Sequence, residues 1–322
     1  MKKKLLTLLS VLILVAGLVG CGSKEENTGG SESSTSKELK KVAMTVMTLD
    51  NPYFVAYKNA LEEEAKKYGF EIIVESANLD LNTQISQVEN FITQNVDLIL
   101  LNAVDKKGIA GAVEQAKAAG IPIIAVDAAA DGGTTATVMS DNYEAGKLAG
   151  EYIVKRLNGK GNVVIMNGLP MSSIMDRVQG FKDVLKNYPD IKIVAEQNGK
   201  NNRADSTNVF EGVLAAHGKG KIDAVFGAND PIAIGSYLAA KAANRTEMFF
   251  AGVDGSQDAV NLIKENGPFA YTSAQHPSLQ VEKAIELAKK ILAGEKVDSE
   301  KPYLVPVDPI SIDNVDEFKP EF

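Results

Sequence analysis

An internal duplication constrains this 322-residue chain more than any other feature. The run Val96-Asp97-Leu98-Ile99-Leu100-Leu101-Asn102 is echoed by Ile222-Asp223-Ala224-Val225-Phe226-Gly227-Ala228-Asn229. Pro122-Ile123-Ile124-Ala125-Val126-Asp127 is echoed in the same way by Met248-Phe249-Phe250-Ala251-Gly252-Val253-Asp254. The interval from Asn102 to Asp127 is 25 residues, and so is that from Asn229 to Asp254. The first strands match too, Val42 to Met47 answering Val163 to Asn167. Between such apolar runs, which include Ile72 to Glu75, Leu98 to Leu101 and Ile121 to Val126, lie longer stretches with helical periodicity. One is Pro52 to Tyr68, where Tyr53, Tyr57, Ala60, Leu61 and Ala65 share a face. Short strands alternating with helices specify βαβ units and a parallel sheet. The length suits two such domains. The expectation is an α/β protein of two doubly wound, Rossmann-like lobes with one shared topology.

Open parallel sheets bind ligands beyond the carboxyl ends of their strands, at the point where strand order reverses. Asn102, Asp127, Asn229 and Asp254 all fall at predicted strand ends, an amide and a carboxylate in each lobe. Each taken alone could merely cap the helix that follows, since Asn and Asp are favoured there. Four at matched positions point to a shared cleft.

The first residues follow a different pattern. Lys2, Lys3 and Lys4 precede an apolar run from Leu5 to Val19, roughly fifteen residues and too short to span a bilayer. Leu18-Val19-Gly20-Cys21 closes it and resembles the lipobox of bacterial lipoproteins, in which the cysteine receives a diacylglycerol and becomes the mature N-terminus. Residues 1–20 then read as a lipoprotein signal peptide, and residues 21–37, rich in Gly, Ser, Thr, Glu and Lys, as a flexible tether. Cys21 is the single cysteine, so no intramolecular disulfide can form. The formal charge of −8 becomes −11 once the three leader lysines are removed. That acidity argues against a nucleic-acid partner.

The folded part resembles the ribose and galactose class of periplasmic sugar-binding proteins, the type I periplasmic-binding-protein fold. The resemblance is carried by Thr48-Leu49-Asp50-Asn51-Pro52-Tyr53-Phe54, Leu100-Leu101-Asn102, Ile123-Ile124-Ala125-Val126-Asp127 and Ser140-Asp141-Asn142 with Gly146. It continues through Asp176-Arg177-Val178-Gln179-Gly180-Phe181, Asn229-Asp230, Gly252-Val253-Asp254-Gly255 and Gln275-His276-Pro277. It implies that Asn51, Asn102, Asp127, Arg177, Asn229, Asp254 and Gln275 bond sugar hydroxyls, and that Tyr53 and Phe54 stack on the ring. Carboxylates accept the protons hydroxyls donate, while Arg and amides donate to their oxygens. The residue types of Asn51 and Pro52 also suit a helix start, and Tyr53 and Phe54 equally suit a core.

Four positions depart from the ribose-binding pattern. Ala128 stands in place of a second arginine, Asn201 in place of a second-lobe aromatic, Val253 in place of another aromatic, and Met47 in place of a small polar residue. Loss of a charge and two rings implies a larger monosaccharide, a furanose, a cyclitol or an open-chain polyol rather than ribose, with Asn201 or Asn202 supplying compensating hydrogen bonds.

The resemblance further implies a hinge of three segments, near Ser140, Gln275 to His276, and Pro306. An N-terminal lobe would hold residues 38–140 and 276–306, and a C-terminal lobe residues 141–275 and 307–322. The implied role is that of a monomeric, extracytoplasmic substrate-binding lipoprotein, anchored to the cell membrane through Cys21, that serves the permease of an ATP-binding-cassette importer without a cofactor. A sensory, quorum-signal or nucleoside binder of the same fold is the alternative. An enzyme is disfavoured: no Gly-x-Ser-x-Gly elbow, phosphate loop or His-Glu-x-x-His occurs. His217 and His276 are isolated in the sequence, though Asp127 and Asp254 could suggest glycoside hydrolysis.

Overall fold

A computed structural model describes residues 40–322. The predicted leader, Cys21 and the tether lie outside the described residues. The first eight elements follow the predicted alternation: β1 (Lys40–Val46), α1 (Pro52–Tyr68), β2 (Phe70–Ser76), α2 (Leu81–Thr93), β3 (Leu98–Leu101), α3 (Ala110–Ala118), β4 (Ile123–Val126) and β5 (Ala136–Ser140). A second series repeats them: α4 (Asn142–Arg156), β6 (Gly161–Asn167), α5 (Ser172–Leu185), β7 (Ile191–Asn198), α6 (Arg203–Ala216), β8 (Ala224–Gly227), α7 (Asp230–Ala242), β9 (Phe249–Asp254), α8 (Gln257–Lys264) and β10 (Phe269–Ala274). The chain ends with α9 (Pro277–Leu292), β11 (Tyr303–Val305) and β12 (Asp308–Ser311).

The strands form two sheets of six, in the orders β11-β5-β4-β3-β1-β2 and β12-β10-β9-β8-β6-β7. Substituting β6 for β1, and so on along the series, converts one order into the other. The duplication read from sequence is therefore a duplication of topology. Pairing is parallel throughout except for β12 on β10. Both faces of each sheet are covered. On β1, Val42, Met44 and Val46 enter one core with α1 and α9, while Ala43 enters the other with α2 and α3. On β6, Val164 and Met166 face one core, and Val163 and Ile165 the opposite one. Successive side chains alternate across a strand, so a strand buried on both faces reads as an unbroken apolar run.

Helix α1 shows how local sequence sets these elements. The Asn51 side chain accepts the Tyr53 N–H at 3.0 Å, Pro52 takes the first helical position, and Gly69 ends the helix at φ 69°. Its buried stripe is Tyr53, Phe54, Tyr57, Leu61 and Ala65. Each large side chain in such a stripe contributes roughly 1.5–3 kcal/mol by leaving water.

The chain passes between sheets three times. β5 lies in the first sheet, yet α4 packs on α5, β9 and β10; β10 lies in the second sheet, yet α9 packs on α1, β4 and β5; and β11 and β12 lie in different sheets. The connecting residues are Asp141, Gln275 with His276, and Pro306 with Val307. No helix among the described residues is long and apolar enough to cross a membrane.

Candidate functional site

The two sheets direct their carboxyl ends at a common cavity of about 510 Å³, lined from both lobes. Asp127 follows β4 at φ +63°, and Asp254 ends β9 at φ +145° with Gly255 at +77°. Non-glycine residues rarely adopt positive φ, and Asp tolerates it better than most. The same exception at the same place in both lobes turns each carboxyl off its strand toward the cleft. Backbone strain of this kind collects at functional sites.

Asn51, Tyr53, Phe54, Asp127, Arg177, Asn201, Asn229, Asp254 and Gln275 all line the cavity. Asn102 does not. It is fully buried one layer back, where its Oδ1 accepts the Met47 N–H at 3.1 Å and its Nδ2 donates to Val126 O and Asp127 Oδ2, both at 3.2 Å. Instead of presenting an amide to the cleft, it fixes the carboxylate that does. Its counterpart Asn229 is placed differently. The Asn229 Oδ1 caps α7 through the Ile232 N–H at 2.9 Å, while its Nδ2 finds no partner among the described residues. Capping and availability to a ligand coexist in one side chain.

Asn201 lines the cavity with its amide already committed: Oδ1 accepts the Leu169 N–H at 3.0 Å, and Nδ2 donates to Met171 Sδ at 3.2 Å. Asn202 is occupied likewise in capping α6. Part of the hydrogen-bonding capacity of these two is thus used within the loop that carries them, and one N–H of the Asn201 amide remains. Tyr53 is shared between roles. Its ring lines the cavity and meets Phe54 edge-on at 5.2 Å, while its hydroxyl accepts from Gln280 Nε2 at 2.7 Å.

On the second lobe, Arg177 of α5 is buried and makes three contacts. Its Nε donates to Asn142 Oδ1 at 2.8 Å, and its Nη1 donates to Ala228 O at 3.0 Å and to Asp254 Oδ1 at 3.3 Å. Asp254 Oδ1 also accepts from Gln275 Nε2 at 2.8 Å. The Gln275 Oε1 is buried with no protein partner. Such an orphan is costly unless something else in the cleft donates to it.

Sequence reasoning missed Ser173. It is buried, lines the cavity, and its hydroxyl bonds no described residue, whereas every other buried serine or threonine among them is paired. Its spacing was the available signal, since it lies four residues before Arg177 and so on the same helical face. Also missed were the apolar lining residues Leu79, Leu169, Met171 and Ile174. Outside the cavity lining, Ala129 of the first lobe donates its N–H to Ser172 Oγ of the second at 3.1 Å, so the lobes meet there.

Burial dominates the electrostatics. It raises the Asp127 carboxyl above the usual range, against the pull of the Arg177 charge and of hydrogen bonds from Tyr53 and Asn102. It raises the Asp254 carboxyl as well, opposed by Arg177 and reinforced by the neighbouring buried Asp230. The Tyr53 hydroxyl is driven well upward by burial and then by the Asp127 charge, so it remains a neutral donor and acceptor. The arrangement is a preorganised set of donors and acceptors in which Arg177, Asp127 and Asp254 are buried and Lys200 and Arg203 also line the wall, a mixture suited to a polyhydroxylated molecule. Among the described residues, no group of three or more His, Cys, Asp or Glu side chains could hold a metal ion.

Comparison with known proteins agrees with this chemistry. The periplasmic binding protein domain family matches residues 42–296. The chain is 33% identical over 306 residues to the xylitol-binding protein of Mycolicibacterium smegmatis, covering 94% of this chain and 86% of that one. It is 33% identical over 299 residues to the ribose import binding protein of Bacillus subtilis, covering 92% and 95%. Among solved structures, a solute-binding protein of an ABC transporter from Bacillus halodurans with bound myo-inositol superposes with a TM-score of 0.81 at 29% identity, over 88% of this chain and 98% of that one.

Proposed function

Given that this chain belongs to the periplasmic binding protein family, whose members matched here bind solutes and are not enzymes, we propose that it captures a monosaccharide or polyol between its lobes and delivers it to the permease of an ABC importer. One observation carries the reading: a cavity between two lobes of the same topology offers unspent hydrogen-bonding capacity at Gln275, Ser173 and Asn229 beside the buried Asp127, Arg177 and Asp254. Each hydroxyl of a sugar or polyol can both donate and accept, which matches that mixture. The relatives named for ribose and xylitol and the neighbour holding myo-inositol support the same class. Asp127 from one lobe and Arg177 and Asp254 from the other would draw the lobes together on a shared ligand. Only differential contact of that kind can shift a hinge equilibrium.

The proposal includes attachment to the membrane through a lipid on Cys21, supported by the Leu18-Val19-Gly20-Cys21 sequence. It also includes action as a monomer. The test is thermal unfolding of the purified Cys21→Ser chain with D-ribose, xylitol, myo-inositol and D-allose. A ligand at about a hundred times its dissociation constant adds roughly 2.7 kcal/mol of stability. A rise in Tm with one of the four, absent from Asp127→Ala, is the expected result. No rise with any of them would sink the sugar reading and leave the fold untouched.

A further inference from the structure

Between the two walls of the cavity runs a chain of buried side-chain hydrogen bonds, and it passes through the hinge. On the first lobe, Gln280 of α9 bridges the Tyr53 hydroxyl at 2.7 Å and the Ser140 hydroxyl at 2.8 Å. Ser140 is the last residue of β5, at the first crossing between lobes. Its carbonyl accepts from Asn142 Nδ2 at 3.0 Å, and Asn142 Oδ1 accepts from Arg177 Nε at 2.8 Å. Arg177 in turn contacts Asp254, which Gln275 holds at the second crossing. Ser140 and Gln280 are fully buried, and Asn142 and Arg177 nearly so.

The backbone reinforces this path. Asn142 opens α4, and Gly146 lies one turn later on the same face. A Cβ on Gly146 would come within 1.8 Å of the Arg177 carbonyl oxygen. The first two turns of α4 therefore hold Arg177 by its side chain and by its main chain at once, and α4 starts at the hinge.

We infer that Asn142 and Gln280 are positioning residues for ligand capture, joined through Ser140 into one relay that ties the angle of the hinge to the placement of Arg177 in one wall and Tyr53 in the other. Neither amide lines the cavity. Gln280 and its two partners belong to the first lobe and Arg177 and its three to the second, so the single link across the crossing is the Asn142 Nδ2 bond to the Ser140 carbonyl; rotation there would shift Asn142 and, through it, the Arg177 Nε that it holds. The inference rests on the binding function proposed above and adds what couples closure to capture. Buried amides in a network specify geometry because each unpaired atom is costly.

The test compares Asn142→Ala, Asn142→Asp and Gln280→Met in the Cys21→Ser chain, using D-ribose, xylitol, myo-inositol or D-allose, whichever stabilises the unaltered chain. Asn142→Ala should weaken binding about tenfold. In an Arg177→Lys background, which has no Nε to meet Asn142 Oδ1, the same change should cost less than about twofold, because residues in one network do not act additively. Asn142→Asp keeps the acceptor facing Arg177 and loses the donor to Ser140, so weaker binding by this variant assigns the effect to the hinge. Equal affinity of Asn142→Ala and the unaltered chain, or an equal loss in both backgrounds, overturns the positioning role. Asn142→Asp binding as tightly as the unaltered chain overturns the hinge link. Should Asn142→Ala fail to fold, Gln280→Met reads the other arm, and unchanged affinity there refutes the relay.

A ligand-free readout separates this inference from the sugar reading. Spin labels on Glu63→Cys and Lys219→Cys, one per lobe, should report a wider distance distribution in Asn142→Asp. If no panel compound binds, the sugar reading falls, and an unchanged distribution would then remove the relay as well.

Discussion

Replacing Arg177 with Met should expose how much of the second lobe is organised around one buried cation. Met fills much of the same space with an adaptable apolar chain, so the loss is mainly electrostatic. Asn142 Oδ1 and Ala228 O lose the donor that Arg177 supplies, and Asp254 Oδ1 is left with Gln275 Nε2 alone. Removing one partner of a buried ion pair costs roughly 3–5 kcal/mol when the other keeps its charge, and leaving neutral acceptors unpaired costs about 1–3 kcal/mol. Which figure applies depends on whether Asp254 is ionised. Burial already raises its carboxyl, and Arg177 is the main opposing influence, so the folded value climbs further in the variant. A carboxyl raised in the folded state keeps its proton after the unfolded chain has released it. Stability then declines as pH rises from about 4 through the folded value. With the folded value of Asp254 pushed up to about 7 in the unaltered chain, the deficit of Arg177→Met should therefore be about 1 kcal/mol larger at pH 8 than at pH 5. Urea unfolding at the two pH values measures it, and at pH 8 the Tm should fall by roughly 10 °C. Equal deficits at both pH values would mean that Asp254 does not depend on Arg177, and the account of this cluster would be wrong.

Two further outcomes are expected. Gly146→Ala should destabilise the chain by about 3 kcal/mol, because the new Cβ would lie 1.8 Å from the Arg177 carbonyl oxygen, a backbone atom; a Tm within about 2 °C of the unaltered chain would contradict the close α4–α5 contact. Expressed with residues 1–20 included, the unaltered chain should partition with membranes while Cys21→Ser stays in the soluble fraction, and identical partitioning would dismiss the proposed lipid anchor.

Much of the site was legible because its chemistry is tied to strand ends. Asp127, Arg177, Asn229, Asp254 and Gln275 could be placed by matching the two halves and the family motifs, and all of them line the cavity. Asn102 was legible as a strand-end amide but not as a buried support. Whether an amide faces the cleft or the layer behind it depends on which neighbours claim its atoms, here the Met47 N–H and the Asp127 carboxyl. Asn201 lines the cavity as expected, but part of its hydrogen-bonding capacity is spent in its own loop. A polar residue near a site reads as available until the loop that consumes its hydrogen bonds is seen. Ser173 escaped notice because its spacing from Arg177 shows only a shared helical face; its meaning lies in having no partner where similar groups have one.

The sequence by itself determined the two lobes, their shared topology and the residues at their strand ends, because hydrophobic periodicity and a repeated 25-residue interval are local properties that survive without coordinates. Only the tertiary structure decided which polar atoms remain unspent in the cavity and how the hinge connects to them. Those answers depend on contacts between residues far apart in the chain, such as Gln280 with Tyr53 and Arg177 with Asp254, and hydrogen-bonding capacity is known only when every competitor for it has been placed.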